Sequence, residues 1–62
     1  MNKTEAIKRA VKLSKSTGVT IIVYQDRNEG FEGFDMTSEN HFDFLVDINW
    51  CDYSDIVAVI EP

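Results

Sequence analysis

The sequence is poor in the features that would place it outside the cell or in a membrane. It has one cysteine, Cys51, so no disulfide can form within the chain, and the paired cysteines of small secreted domains are missing. No apolar run approaches the roughly 20 residues that a transmembrane helix needs. The basic N-terminus leads into an amphipathic stretch instead of the apolar core of a signal peptide. These absences predict a cytoplasmic protein that does not associate with a membrane.

Glycine and proline are also scarce, with three Gly and one Pro among 62 residues. This scarcity, together with a hydrophobic content of 44%, is typical of a folded chain and not of a disordered one. A domain of this length buries only about 60% of the surface that its unfolded chain exposes. We therefore expect a single small domain over residues 1–62, with a thin core and no enclosed substrate chamber.

Residue combinations that support catalysis are absent as well. The chain has no glycine-rich phosphate loop, zinc cluster or nucleophile motif. His41 and Cys51 stand at opposite ends of a predicted strand, about 33 Å apart, which is too far for a thiol activated by an imidazole. Asp43 and Asp47 would lie about 13 Å apart on that strand, farther than the paired carboxylates of glycosidases. We therefore do not expect an enzyme.

The acidic segment at residues 26–30 has a partial likeness to a calcium loop, because oxygen-bearing side chains occupy alternate positions. However, Gly30 stands at the fifth position, where a ligand is needed, and Phe31 stands at the sixth, where the turn needs glycine. We interpret the segment as a hairpin loop and expect no metal or cofactor.

Positive charge is missing from most of the chain. Residues 1–18 carry five Lys or Arg and one Glu, a net charge of +4, whereas residues 19–62 carry Arg27 and ten acids, a net charge of −9. Such a division suggests a charged surface presented to a partner.

Residues 3–17 have the pattern of an amphipathic helix. At 100° per residue, the small and apolar side chains share an arc of about 160° and the cationic ones fall opposite. Asn2 followed by Glu5 fits an N-terminal cap, and Gly18 fits a C-terminal stop. The larger side chains expected to rest on a sheet are Ile7, Val11 and Leu13.

Three other segments have the composition of strands. Residues 19–24 are β-branched or aromatic on both alternating faces, which is typical of a strand at the centre of a sheet. The hairpin loop leads to a weaker strand at residues 31–36, and residues 56–60 form a last compact apolar strand.

Residues 42–50 show the clearest alternation, because every second residue is apolar and only Leu45 interrupts the polar positions between them. A helix would scatter the same apolar residues around its circumference. We therefore predict a strand here, after a polar turn at residues 37–40, with Trp50 in the core. The alternating apolar residues are Phe42, Phe44, Val46, Ile48 and Trp50.

This order of elements predicts an α+β fold. An N-terminal amphipathic helix must bury its apolar stripe, and one face of a three- or four-stranded antiparallel sheet offers the surface for it. We expect a two-layer sandwich.

The acids recur from residue 29 to residue 55 at short intervals, without Lys or Arg among them. Such a surface attracts the basic groove of a nucleic-acid enzyme or DNA-binding protein and blocks its true ligand. We therefore predict a non-catalytic protein-binding module with a DNA-like negative surface that inhibits a nucleic-acid-handling protein, as an accessory protein of a phage or mobile element would. The residues predicted to bind this basic partner are Glu29, Glu32, Asp35, Asp43, Asp47, Asp52 and Asp55.

Three alternatives stay open. The acids can simply keep a small protein soluble. The chain can form a homodimer by pairing the edge of the strand at residues 56–60. The basic helix face can contact nucleic acid, although no aromatic side chain interleaves its charges and the acidic remainder repels a polyanion, so we do not expect direct nucleic-acid binding. That face comprises Lys8, Arg9, Lys12 and Lys15.

Overall fold

A three-stranded antiparallel sheet organises the described part of the chain. The structure, a computed structural model, describes residues 1–29 and 33–62, and for Glu29 the backbone only. Two short 3-10 turns, Arg27–Glu29 and Tyr53–Asp55, precede the second and third strands. The strand order is β2-β1-β3, with both pairs antiparallel. The helices and strands are α1 (Lys3–Thr17), β1 (Ile21–Gln25), β2 (Phe34–Ser38), α2 (Glu39–Asp47) and β3 (Ile56–Ile60).

The predicted α+β class is confirmed, and so is the helix on one face of a three-stranded antiparallel sheet. The structure adds a second helix, α2, which packs on the other face of the sheet. The layers are therefore helix, sheet and helix, one more than the predicted two.

α1 forms where predicted because both of its ends are capped. Asn2 Oδ1 accepts a hydrogen bond from the backbone N–H of Glu5 at 2.8 Å, which satisfies an amide that has no partner in the first turn. Gly18 has a φ of 70°, a conformation that glycine adopts without strain, and its N–H donates to the Ser14 carbonyl at 2.8 Å. On the solvent side, Arg9 pairs with Glu5 at 2.7 Å.

α1 packs on the sheet through its smallest residues. Ala6, Ala10 and Ser14 are fully buried, and their spacing of four residues places them on one narrow stripe. Ile7 and Leu13 lie about 60° to either side of the centre of this stripe, and of the two only Ile7 packs against the core, while Leu13 stays exposed. The expected contact through Leu13 is therefore wrong, because Ala6, Ala10 and Ser14 occupy the side of the helix that meets the sheet.

β1 is the central strand, as its composition predicts. Ile21 and Val23 face α1, and Ile22 and Tyr24 face α2, so consecutive side chains enter two different cores. All four are buried. A strand covered on both faces needs apolar residues at every position, which explains why its sequence does not alternate.

β2 is paired with β1 in a hairpin. The N–H of Asp26 donates to the Gly33 carbonyl at 2.6 Å, just beyond the ends of the two strands. The predicted strand at residues 31–36 is shifted, since β2 runs to Ser38, and the polar turn predicted at residues 37–40 is wrong. The part of that strand prediction that falls on residues 31 and 32, and the Gly30 of the predicted loop, lie outside the described residues.

The strand predicted at residues 42–50 is also wrong, because most of this segment belongs to α2. Ser38 caps the helix, with its Oγ accepting from the His41 N–H at 3.3 Å, and Glu39 places an acid in the first turn. The backbone N–H of Glu39 also donates to the Thr20 carbonyl at 3.1 Å, which ties the start of α2 to the residue before β1.

The misleading alternation came from apolar side chains that face solvent. Phe42 is buried, and Leu45 and Val46 pack against the same core, which is the i, i+3, i+4 spacing of a helix face. Phe44 and Trp50, two residues expected inside, are exposed instead. The apolar residues are indeed scattered around the helix, as a helical interpretation requires.

The core beneath α2 is built around two rings. The centroids of Tyr24 and Phe42 are 5.1 Å apart, and Cys51 is buried beside them. Leu45 and Ile56 close the cluster. This second core exists because one face of β1 would otherwise lie in water.

The helix and the predicted strand differ sharply in what two phenylalanines contribute. Phe42 is 1% exposed and Phe44 is 54% exposed. We expect Phe42→Ala to lower the free energy of unfolding by about 3–5 kcal/mol, since it removes a buried ring. Phe44→Ala, the matched control, should cost less than about 1 kcal/mol. Urea unfolding followed by circular dichroism measures both free energies. Equal losses would contradict the helix and favour the predicted strand.

Candidate acidic interface on the second helix

The exposed side of α2 carries a row of acids. Glu39, Asp43 and Asp47 are spaced four residues apart, so they share an arc of about 80° and follow one another at intervals of about 6 Å along the axis. All three are exposed. Asp43 and Asp47 were predicted as partner-binding residues, and the helix brings them together with Glu39, which the sequence prediction had omitted.

Apolar side chains border this row. Phe44 is exposed about 60° around the helix from Asp47, and Ile48, which caps the helix, is exposed about 40° farther on. The Phe44 ring also contacts the ring of His41, with centroids 6.0 Å apart. We call the five residues Glu39, Asp43, Asp47, Phe44 and Ile48 the α2 face.

Tyr53 extends the α2 face with an exposed aromatic ring. Its hydroxyl donates to Asp43 Oδ1 at 3.0 Å, and its ring meets Phe42 edge-on at 6.0 Å. The hydrogen bond to the Asp43 carboxylate holds the proton and raises the pKa of the Tyr53 phenol, with smaller contributions from desolvation and from the charges of Asp43 and Asp47. The hydrogen bond therefore favours the protonated phenol, which is the form that donates to the carboxylate.

Two of the other predicted acids have structural contacts of their own. Asp52 is exposed and accepts from the Ser54 N–H at 3.3 Å, which caps the Tyr53–Asp55 turn. Asp35, half-buried on β2, accepts from the N–H of Met36 at 2.8 Å. Neither lies on α2. Glu32 and the side chain of Glu29 are outside the described residues.

Asp55 is placed differently from the rest, because its side chain is only 7% exposed. One oxygen pairs with Arg27 at 2.7 Å, and the other accepts from the Asp52 N–H at 3.0 Å. Arg27 is the last cation of the chain, and it is used here to balance a buried carboxylate. Asp55 therefore presents no free negative charge to a partner in this conformation.

Cys51 and His41 are held in unlike surroundings. Burial raises the pKa of the Cys51 thiol, and the carboxylates of Asp26, Asp55 and Asp35 raise it further, so the thiolate is disfavoured. His41 lies exposed on α2. That neither residue is catalytic stays a prediction.

The described residues form no enclosed binding site. Within residues 1–29 and 33–62, no pocket and no group of three or more metal-binding side chains is found. No helix in this same part of the chain is long and apolar enough to cross a bilayer. The described residues can therefore contact a partner only through an open surface.

The basic residues lie on the other side of the sheet from the α2 face. Lys8, Lys12 and Lys15 are exposed on α1, and Arg9 is paired with Glu5. The sheet separates the two helices, so the charge division along the sequence becomes a division between two faces of the molecule.

Comparisons with known protein families, curated proteins and solved structures found no match to this chain.

The buried acid should contribute to stability more than an exposed one. We expect Asp55→Ala to lower the free energy of unfolding by about 1–3 kcal/mol, because the Asp52 amide and the Arg27 guanidinium both lose their acceptor. Asp43→Ala, which removes an exposed acid with one hydrogen bond, should cost less than about 1 kcal/mol. Chemical unfolding of both variants checks this, and a larger loss in Asp43→Ala would contradict it.

The hydrogen bond between Tyr53 and Asp43 has a spectroscopic signature. The Tyr53 phenol should titrate above the ordinary tyrosine value, because ionisation removes the proton that the carboxylate accepts. Asp43→Asn should move the pKa down towards that value. An NMR titration of the Tyr53 ring carbons measures both values, and identical titration in the two proteins would show that the bond does not form in solution.

Proposed function

We propose that this chain is a non-catalytic binding module that engages a basic protein through the α2 face. A single observation carries the proposal: the solvent-facing half of a short helix carries three acids and, beside them, two exposed apolar side chains. Charge alone is common on small soluble proteins, and so are isolated exposed apolar residues. Their combination on the exposed half of one helix is typical of an interface that first attracts a partner and then buries apolar area against it.

The charge on α2 supports the choice of a basic partner. The helix carries three carboxylates and no Lys or Arg, and the chain as a whole has a net charge of −5. Fields of this kind speed the encounter with an oppositely charged surface and act over a Debye length of about 8 Å at physiological salt. The basic side chains of α1 lie across the sheet and do not neutralise the α2 face.

The apolar part of the surface supports a protein partner. Phe44, Trp50 and Tyr53 are all exposed, and aromatic side chains of this kind often contribute the most binding energy in protein interfaces. Tyr53 is also held in place by its bond to Asp43, so it needs little ordering on binding.

The spacing of the acids bears on the kind of basic partner. Three charges over about 12 Å of helix are fewer than the one charge per about 1.7 Å that duplex DNA carries. A partner that recognised the charges alone would prefer DNA, so apolar contacts must contribute to its affinity for this protein. A nucleic-acid-handling protein fits when apolar residues border its basic groove, and the α2 face would inhibit it by occupying that groove.

The test begins with affinity capture from the native cell extract at low salt, with mass spectrometry to identify the bound protein. The purified partner is then titrated with the wild type and with a Glu39→Gln and Asp47→Asn double variant. We expect affinity to fall by roughly 5- to 30-fold in the variant, since each exposed ion pair contributes up to about 1 kcal/mol. Added salt should weaken the wild type steeply and the variant less.

A matched control separates the α2 face from net charge. The Glu5→Gln and Glu61→Gln double variant changes the net charge by the same amount but leaves α2 intact. It should bind nearly as well as the wild type. An affinity that does not change with added salt, or an equal loss of affinity in both double variants, would refute the proposal.

A further inference from the structure

β3 is an open edge of the sheet. The strand order leaves one side of β3 without a neighbour among the described residues. Natural edge strands are usually protected by Lys, Pro or inward charges, yet all residues of Ile56–Ile60 are apolar. β2, the opposite edge, is more polar and includes Asp35. An irregularity near Ile56 limits the regular part of the β3 edge to residues 58–60.

Hydrogen bonds elsewhere in the sheet show where the backbone of Val59 points. The carbonyl of Thr20 and the N–H of Asp26 both bond towards the β2 side, and bonding direction alternates along a strand. Ile21 and Val23 must therefore bond towards β3, where they pair with Ile60 and Ala58. Between those two partners, the N–H and carbonyl of Val59 face away from β1.

We propose that two copies of this chain pair antiparallel through β3, about a two-fold axis at Val59, to form one six-stranded sheet. In this register the two Val59 residues exchange both of their outward hydrogen bonds. Ala58 of each copy then lies opposite Ile60 of the other. All of these residues are apolar, so this register places no charged side chain opposite residues 58–60.

The side chains favour the same register. Val59 opposes Ile22 within the chain, so it lies on the α2 side of the sheet, where it is 51% exposed. Across the two-fold axis it meets the Val59 of the second copy, and both lose water contact. Ala58 and Ile60 already pack with the α1 core, and pairing them across the axis extends that core between the copies.

Two chains of net charge −5 repel each other, and this repulsion weakens the pairing.

The size of the contact predicts its strength. One short strand pair buries less than the roughly 1,000 Å² that a stable interface needs. The dimer should therefore be weak and dependent on concentration, and a titration over a wide range is required to see it.

Sedimentation equilibrium of the pure chain from about 10 µM to 1 mM tests the proposal, over the range in which weak contacts form. The average mass of the wild type should rise from 7.1 kDa towards twice that value. Val59→Pro should weaken dimerisation at least tenfold and keep the monomer fold, because the lost N–H points away from β1. Val59→Lys should do the same by placing a charge at the axis.

Val19→Lys is the control, since Val19 is a 42% exposed valine outside the sheet and the substitution changes net charge equally. It should dimerise like the wild type. Circular dichroism verifies that each variant is folded. A wild type that stays monomeric at 1 mM, a dimer that survives both Val59 substitutions, or an equal loss in Val19→Lys would overturn the proposal. No partner protein enters this measurement, so its result is independent of the proposed function.

Discussion

The burial of β1 on both faces is the constraint on which the rest of the structure depends. Ile21 and Val23 enter one core and Ile22 and Tyr24 enter the other, and each contributes about 1.5–3 kcal/mol by leaving water. These four are half of the eight buried hydrophobic residues in the described part of the chain. One helix would leave half of this strand exposed, so the second helix is a requirement of the strand and not an addition to the sheet.

The elements that could be predicted from sequence are those whose local signals agree with their surroundings. α1 has its caps at Asn2 and Gly18, and the first four of the five residues of β1 are apolar. α2 could not be predicted from periodicity, because Phe44 and Ile48 face solvent and imitate a strand. The local signal for this helix was the cap at Ser38, and counting apolar positions does not detect a cap.

The candidate site was predicted only in part, for the same reason. Asp43 and Asp47 were expected on one strand face about 13 Å apart, and a helix halves that distance and adds Glu39. Asp55 could not be distinguished from the solvated acids, because its burial depends on Arg27, which is distant in sequence. Charge can be counted along a chain, but burial depends on tertiary contacts.

The hydrogen bond from the Glu39 amide to the Thr20 carbonyl gives the α2 face a property that composition cannot reveal. It joins the first residue of the helix to the chain just before the central strand, at 3.1 Å. The direction of α2 is therefore set before any partner arrives. A helix held in this way needs no ordering of its backbone on association, and the cost that remains is the roughly 0.5–1.5 kcal/mol for each side chain that becomes immobilised. The backbone conformational entropy of this face has already been lost in folding, before anything binds to it.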